Sequence, residues 1–200
     1  MLRVGLTGGL GAGKSTVAQW LREAGIPVLD ADQVAHALLG PGGEAAPQVI
    51  AAFGPGVLDA GGHVDRRKLA AVVFADPAQR RRLEAILHPR IIAASNGWMA
   101  AMEQEGHGVA VVEAALIFEA GSAERFDRTI AVVCPSEQRT ERWRRAGGDP
   151  ADAEARLAAQ LPDEEKARRA DWVIDNSGAP SHTRAQVQKL LAEMGCKTGD

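Results

Sequence analysis

Residues 2–23 read Leu2-Arg3-Val4-Gly5-Leu6-Thr7-Gly8-Gly9-Leu10-Gly11-Ala12-Gly13-Lys14-Ser15-Thr16-Val17-Ala18-Gln19-Trp20-Leu21-Arg22-Glu23. Leu2–Leu6 is a short apolar run of the kind that forms a buried strand, and Ser15–Ala24 reads as a helix. Between them, Gly8 through Ser15 satisfy the pattern G-x-x-x-x-G-K-[ST] in full. That pattern carries meaning only where it joins a strand to a helix, and here it does. Glycines let backbone N–H groups turn inward around an anion, and the helix N-terminus adds roughly half a positive charge. Gly11, Ala12, Gly13, Lys14, Ser15 and Thr16 therefore form a candidate phosphate cradle. Lys14 reaches the outer phosphates, and the Ser15 hydroxyl is the candidate Mg²⁺ ligand. The stretch implies a nucleoside triphosphate site.

Outward from this loop, beta-type and helical runs alternate. Strands are expected at Pro27–Leu29, Val109–Glu113, Thr129–Cys134 and Trp172–Asp175, each short and bounded by Gly, Pro or Asp. Such continuous apolar runs fit strands buried on both faces. Helices are expected at Ala31–Leu39, Pro47–Phe53, Arg67–Phe74, Pro77–Leu87, Pro89–Gln104, Ser136–Ala146, Ala151–Gln160 and Thr183–Met194. The pattern predicts an α/β fold of the P-loop NTPase type: three layers, α/β/α, around a five-stranded parallel sheet. Two intervals break the rhythm within this single domain of residues 1–200. The mostly helical stretch from about 31 to 108 is too long for one crossover, and predicts an inserted helical substrate lobe over about 60–105. The stretch from about 136 to 170 joins an arginine-rich helix to Gly147-Gly148-Asp149-Pro150, a composition that suits a lid closing over phosphates.

Composition narrows the class. The chain has 200 residues, 46 % hydrophobic and 24 % charged, with a net charge of −3. No global basic field draws nucleic acid or an anionic membrane. Aromatics are 4 % and tyrosine is absent, so a base-stacking platform is not expected. Two distant cysteines, Cys134 and Cys196, lack zinc-site spacing and fit a reduced cytoplasmic setting. No signal peptide or membrane-length apolar run is read. A monomer is the expected state. The chain lacks an N-K-x-D guanine-recognition sequence, and counting G-x-G-x-x-G from Gly9 ends on Lys14. A GTP switch and a dinucleotide oxidoreductase are thereby disfavoured.

Phosphoryl transfer also needs charge-neutralising cations and a group that orients or deprotonates the acceptor. Asp30-Ala31-Asp32 follows the second strand, and ligands of open α/β sheets bind at the carboxyl ends of strands. Asp32 is the candidate general base, with Asp30 a helix cap or metal-linked group. Glu113, ending the third strand, is placed to meet the metal through water. Arg66 suits an acceptor pyrophosphate, since guanidinium forks match phosphate oxygens. His88 is expected to order the substrate lobe or touch ligand, with Pro89 opening the next helix. Asn176 lies where an adenine edge would be read.

Further groupings extend the pattern. They are Phe53-Gly54, Gly62-His63-Val64-Asp65-Arg66-Arg67-Lys68-Leu69, Phe74, Leu83 through Pro89, Leu116-Ile117-Phe118-Glu119, Gln138, Arg142, Gln160, and Ala170 through Gly178. With the loop and Asp30-Ala31-Asp32, they resemble the dephospho-coenzyme A kinase family, in family order from Leu2 to Gly178. The resemblance implies ATP-dependent phosphorylation of the ribose 3′-hydroxyl of dephospho-coenzyme A. It implies Asp32 as the base, and Thr7, Arg66, His88, Leu116, Ile117, Phe118 and Glu119 on the acceptor side. It also implies lid arginines on ATP: Arg142 first and Arg145 second, among Arg139, Arg142, Arg144 and Arg145. The chain departs from the family where Ala115 replaces a proline and Glu113 an aspartate.

Overall fold

The computed structural model describes residues 1–145, 147, 157 and 160–196. Five strands form one sheet: β1 (Leu2–Gly8), β2 (Val28–Asp30), β3 (Val109–Glu113), β4 (Arg128–Val133) and β5 (Trp172–Asp175), in the order β2-β3-β1-β4-β5. β1 pairs in parallel with β3, Leu2 opposite Val109, and with β4, Val4 opposite Arg128; β4 pairs in parallel with β5. This is the parallel α/β sheet expected from the strand pattern. Two compact units divide the chain, Met1–Leu29 with Met99–Asp200, and Asp30–Trp98.

In the first unit the central strands are mostly apolar and buried along most of their length. Val4, Leu6, Val111, Ile130 and Val132 have essentially no solvent exposure. Helix α1 (Lys14–Glu23) packs Val17, Ala18 and Leu21 into the same core. A C-terminal helix, Pro180–Glu193, adds Val187, Leu190 and Leu191. Burying one side chain of Val or Leu size contributes about 1.5–3 kcal/mol, so this cluster holds the sheet against chain entropy. Consequently, the turn leaving β1 sits on a rigid base.

The second unit has its own core. Helices α2 (Ala31–Leu39), α3 (Ala46–Phe53), α4 (Arg66–Ala75) and the larger part of α5 (Pro77–Gln104) meet around Leu39, Val49, Val57, Leu69 and Ile86. Asp30 and Asp65 accept from the first-turn amides of α2 and α4, respectively, as N-cap aspartates do.

Two expectations change. The helices expected at Pro77–Leu87 and Pro89–Gln104 are one helix with Pro89 inside it. Proline leaves the carbonyl four residues earlier without its usual donor. Nearby, Arg90 Nη1 donates to the Ile86 carbonyl at 2.8 Å, and Ile86 and Leu87 are buried on the preceding turn. Packing outweighs the local break. A helix spanning Asp163–Arg169 was not expected as a separate element. The helix expected at Ala151–Gln160 lies almost wholly outside the described residues, as do Gly148, Asp149 and Pro150 of the expected lid hinge. In chain order the remaining helices are α6 (Ser136–Arg145), α7 (Asp163–Arg169) and α8 (Pro180–Glu193). Among the described residues, no helix is long and apolar enough to cross a membrane.

Candidate active site

The turn between β1 and α1 is held by its own backbone. Ala12 N donates to Gly9 O at 3.1 Å, and Thr16 N and Val17 N both donate to Gly13 O. Gly13 is the N-cap of α1 in a left-handed conformation (φ 96°), with no side chain bonded to the first-turn amides. A side chain there is excluded twice, by that φ and by Asn176 Nδ2, which occupies the place a Cβ would take. The helix therefore presents its positive end to the turn with no competing cap. Lys14 Nζ donates to Gly8 O at 3.0 Å and Gly9 O at 3.3 Å, so its stem lies across the loop. Ser15 and Thr16 are exposed on the first turn of α1.

Asn176 fixes the loop from β5. Its Nδ2 donates to Ala12 O at 2.8 Å, and its Oδ1 accepts from Thr183 Oγ1 at 2.9 Å. Its own N–H donates to Val133 O, and its carbonyl accepts from Arg142 Nη2 at 2.9 Å. The amide expected to read adenine is thus bonded to the phosphate loop. One buried residue, through its side chain and its backbone, ties Ala12, β4, α6 and α8 together.

The arginines of α6 divide sharply. Arg142 reaches Asn176, as above. Arg139, which sequence reasoning ranked below Arg142 and Arg145, is the guanidinium nearest the loop. Its Nη1 lies against Gly9 and pairs with Asp163 Oδ1 at 3.0 Å, with both side chains largely buried. Asp163 Oδ2 accepts from Cys134 N, securing that carboxylate. Arg144 and Arg145 pair with Glu141 along the exposed face. The spacing of Arg145 from Glu141, i to i+4, gives it a helix-surface partner. Burial pushes the Cys134 thiol up from its ordinary value, and the Arg142 and Arg139 charges pull the other way.

A second buried cluster lies beyond β3. Thr7 Oγ1 donates to Ala115 O at 3.1 Å, and Lys166 Nζ donates to the same carbonyl at 2.7 Å. Lys166 Nζ is also 2.8 Å from Glu119 Oε1, which accepts from Leu161 N at 2.8 Å. Thr7 and Glu119 are hence engaged inside the protein, in roles the sequence reading did not assign. Ile117 is buried, its Cδ1 against Gly5 of β1, and Phe118 is buried as well. Both lie in the core. Leu116 is only half-buried. Glu113 is buried at the end of β3, opposite Leu6.

In the second unit, Asp30 Oδ1 accepts from Asp32 N at 2.8 Å and from Gln33 N, which makes Asp30 the cap of α2. Asp32 is exposed, and its carboxylate has no bonded partner among the described residues. Arg66 is exposed at the first position of α4, and His88 is half-buried within α5. Among the described residues no three His, Cys, Asp or Glu side chains converge as a metal site. A Mg²⁺ held by one hydroxyl and by substrate phosphates needs no such group, and Ser15 is a hydroxyl of that kind.

Comparison with known proteins joins this geometry to a family. A family model described as dephospho-CoA kinase matches residues 2–181. A dephospho-CoA kinase of Anaeromyxobacter dehalogenans is 45 % identical over 192 residues, covering 96 % of this chain and 91 % of that one. Among solved structures, TT1252 from Thermus thermophilus superposes with a TM-score of 0.82 at 36 % identity, over 99 % and 98 % of the two chains. A dephospho-CoA kinase from Campylobacter jejuni gives 0.71 at 28 % identity, over 96 % of each. The similarity runs along nearly the whole length, and the chain belongs to the dephospho-coenzyme A kinase family.

Proposed function

We propose that this protein transfers the γ-phosphoryl group of ATP to the ribose 3′-hydroxyl of dephospho-coenzyme A, giving coenzyme A and ADP. The observation carrying this reading is the braced glycine loop at the N-terminus of α1 with Lys14 laid across it, in a chain of this family. Backbone amides of the loop and the Lys14 ammonium hold the β- and γ-phosphates. Mg²⁺, held by Ser15 and phosphate oxygens, would neutralise charge between the phosphates. Asp32 takes the proton of the acceptor hydroxyl as the new O–P bond forms and the bond to the ADP oxygen breaks. Its exposed carboxylate fits that task.

Arg142 and Arg139 supply positive charge beside the loop, where charge spreads over the transferring oxygens. Arg139 Nε is buried without a hydrogen-bond partner among the described residues, which leaves a donor of the kind a phosphate accepts from. The unit Asp30–Trp98 is the acceptor lobe, with Arg66 toward the pyrophosphate and His88 as a further contact. The segment of about 136–170 is the lid. We place the enzyme in the cytoplasm as a monomer, acting without nucleic acid or membrane.

The test is a coupled assay offering dephospho-coenzyme A, adenosine, AMP and shikimate, with the product phosphate located by NMR. Selective phosphorylation of the dephospho-coenzyme A 3′-oxygen is expected. Preference for any other acceptor, or phosphate at another position, would overturn the reading.

A further inference from the structure

Helix α7 is a short run of charges, Asp163-Glu164-Glu165-Lys166-Ala167-Arg168-Arg169. Such a sequence reads as a solvated surface turn, yet Asp163 is buried and Lys166 has no exposed surface at all. An ammonium removed from water is tolerated only with close partners, and an apolar side chain of similar volume commonly fills such a place as well or better. A lysine kept there calls for a reason beyond packing.

Its contacts supply one. Gln160, Asp163 and Lys166 recur at three-residue spacing, and each meets a different part of the site. Gln160 Oε1 accepts from Leu10 N in the phosphate loop at 2.9 Å. Asp163 holds Arg139 and the Cys134 amide. Lys166 bonds the Ala115 carbonyl and the Glu119 carboxylate. The same Ala115 carbonyl accepts from Thr7, the residue immediately before Gly8. Ala115 follows the carboxyl end of β3, the strand beside β1, which is the end where open α/β sheets place their ligands.

We propose that Lys166 is a positioning residue for phosphoryl transfer. Its ammonium fixes the segment 115–119 against Thr7 and the phosphate loop, so that groups on that segment stand in register with the phosphoryl group. It touches neither ATP nor acceptor and acts through Ala115 and Glu119. This inference rests on the kinase reading given above.

The experiment compares wild type with Lys166→Met, which keeps volume and removes every donor, and Lys166→Gln, whose amide retains donors. ATP-binding sites are titrated first, and kcat with dephospho-coenzyme A is expressed per binding site, so unfolded chains do not count. Lys166→Met should keep the ATP dissociation constant within about threefold and lose roughly 10²-fold in kcat per site, the scale of a small misplacement of reacting groups. Lys166→Gln should recover part of that loss. Equal kcat per site in wild type and Lys166→Met overturns the inference, as does a Gln variant no better than Met. Loss of ATP-binding sites in both variants also overturns it, since Lys166 would then maintain the fold rather than place a segment. Wild-type turnover separates the two ideas: if wild type binds ATP but phosphorylates no dephospho-coenzyme A, the kinase reading is what fails.

Discussion

At the scale of single residues, Asp30 and Asp32 show how two like carboxylates two positions apart take different work. Asp30 accepts from the Asp32 and Gln33 amides and starts α2. Asp32 has its amide engaged by that cap and its carboxylate exposed. Asp32→Asn removes a proton acceptor while leaving the cap and helix intact. We expect ATP affinity to stay near wild type and kcat to fall by roughly 10²–10⁴, the range for a lost general base. An unchanged kcat in steady-state kinetics would confine Asp32 to the helix start. Lys14, Gly13 and Asp30 were legible in the sequence because local spacing dictates their geometry. Arg139 and Thr7 were not. Four arginines on one helix look alike in sequence, and only the position of Asp163, more than twenty residues away, makes Arg139 the buried one. Thr7 depends on the Ala115 carbonyl, 108 residues along the chain.

At the scale of elements, the strands were readable because continuous apolar runs bounded by Gly, Pro or Asp have few other uses. Helix α7 was hidden for the opposite reason: seven residues with one alanine and six charges carry no apolar periodicity. Its acidic first turn and basic last turn do match the helix dipole, a signal available beforehand. Helix α5 was misread at Pro89, where a local rule met tertiary packing. That conflict is measurable. Pro89 is exposed inside the helix, so Pro89→Ala restores a donor to the Ala85 carbonyl without opening a cavity. An interior proline costs a helix about 3 kcal/mol, and proline's restriction of the unfolded chain offsets up to about 1 kcal/mol of that. Pro89→Ala should therefore raise stability by about 2 kcal/mol, read as a higher urea midpoint at unchanged m-value. A lower midpoint would mean that Pro89 makes a contact the helix depends on.

For the whole molecule, the phosphate loop and the acidic pair belong to different compact units, Met1–Leu29 with Met99–Asp200, and Asp30–Trp98. Each unit has its own apolar core. A ligand bound by one unit raises the free energy of openings that release it, by about 2.7 kcal/mol at a concentration one hundred times its dissociation constant. Openings confined to the other unit are not affected in this way. A nonhydrolysable ATP analogue should accordingly slow hydrogen exchange in the loop and first turn of α1, and around Gln160 and Asn176, which brace the loop. Amides around Val49, Val57 and Leu69 should exchange as before. Adding dephospho-coenzyme A should then slow exchange in this second set. Hydrogen-exchange mass spectrometry resolves the two sets by peptide. If the ATP analogue alone protected both units equally, the assignment of donor and acceptor to separate units would be wrong, because a nucleotide held only by the loop has no interaction energy to spend on openings of the Asp30–Trp98 core.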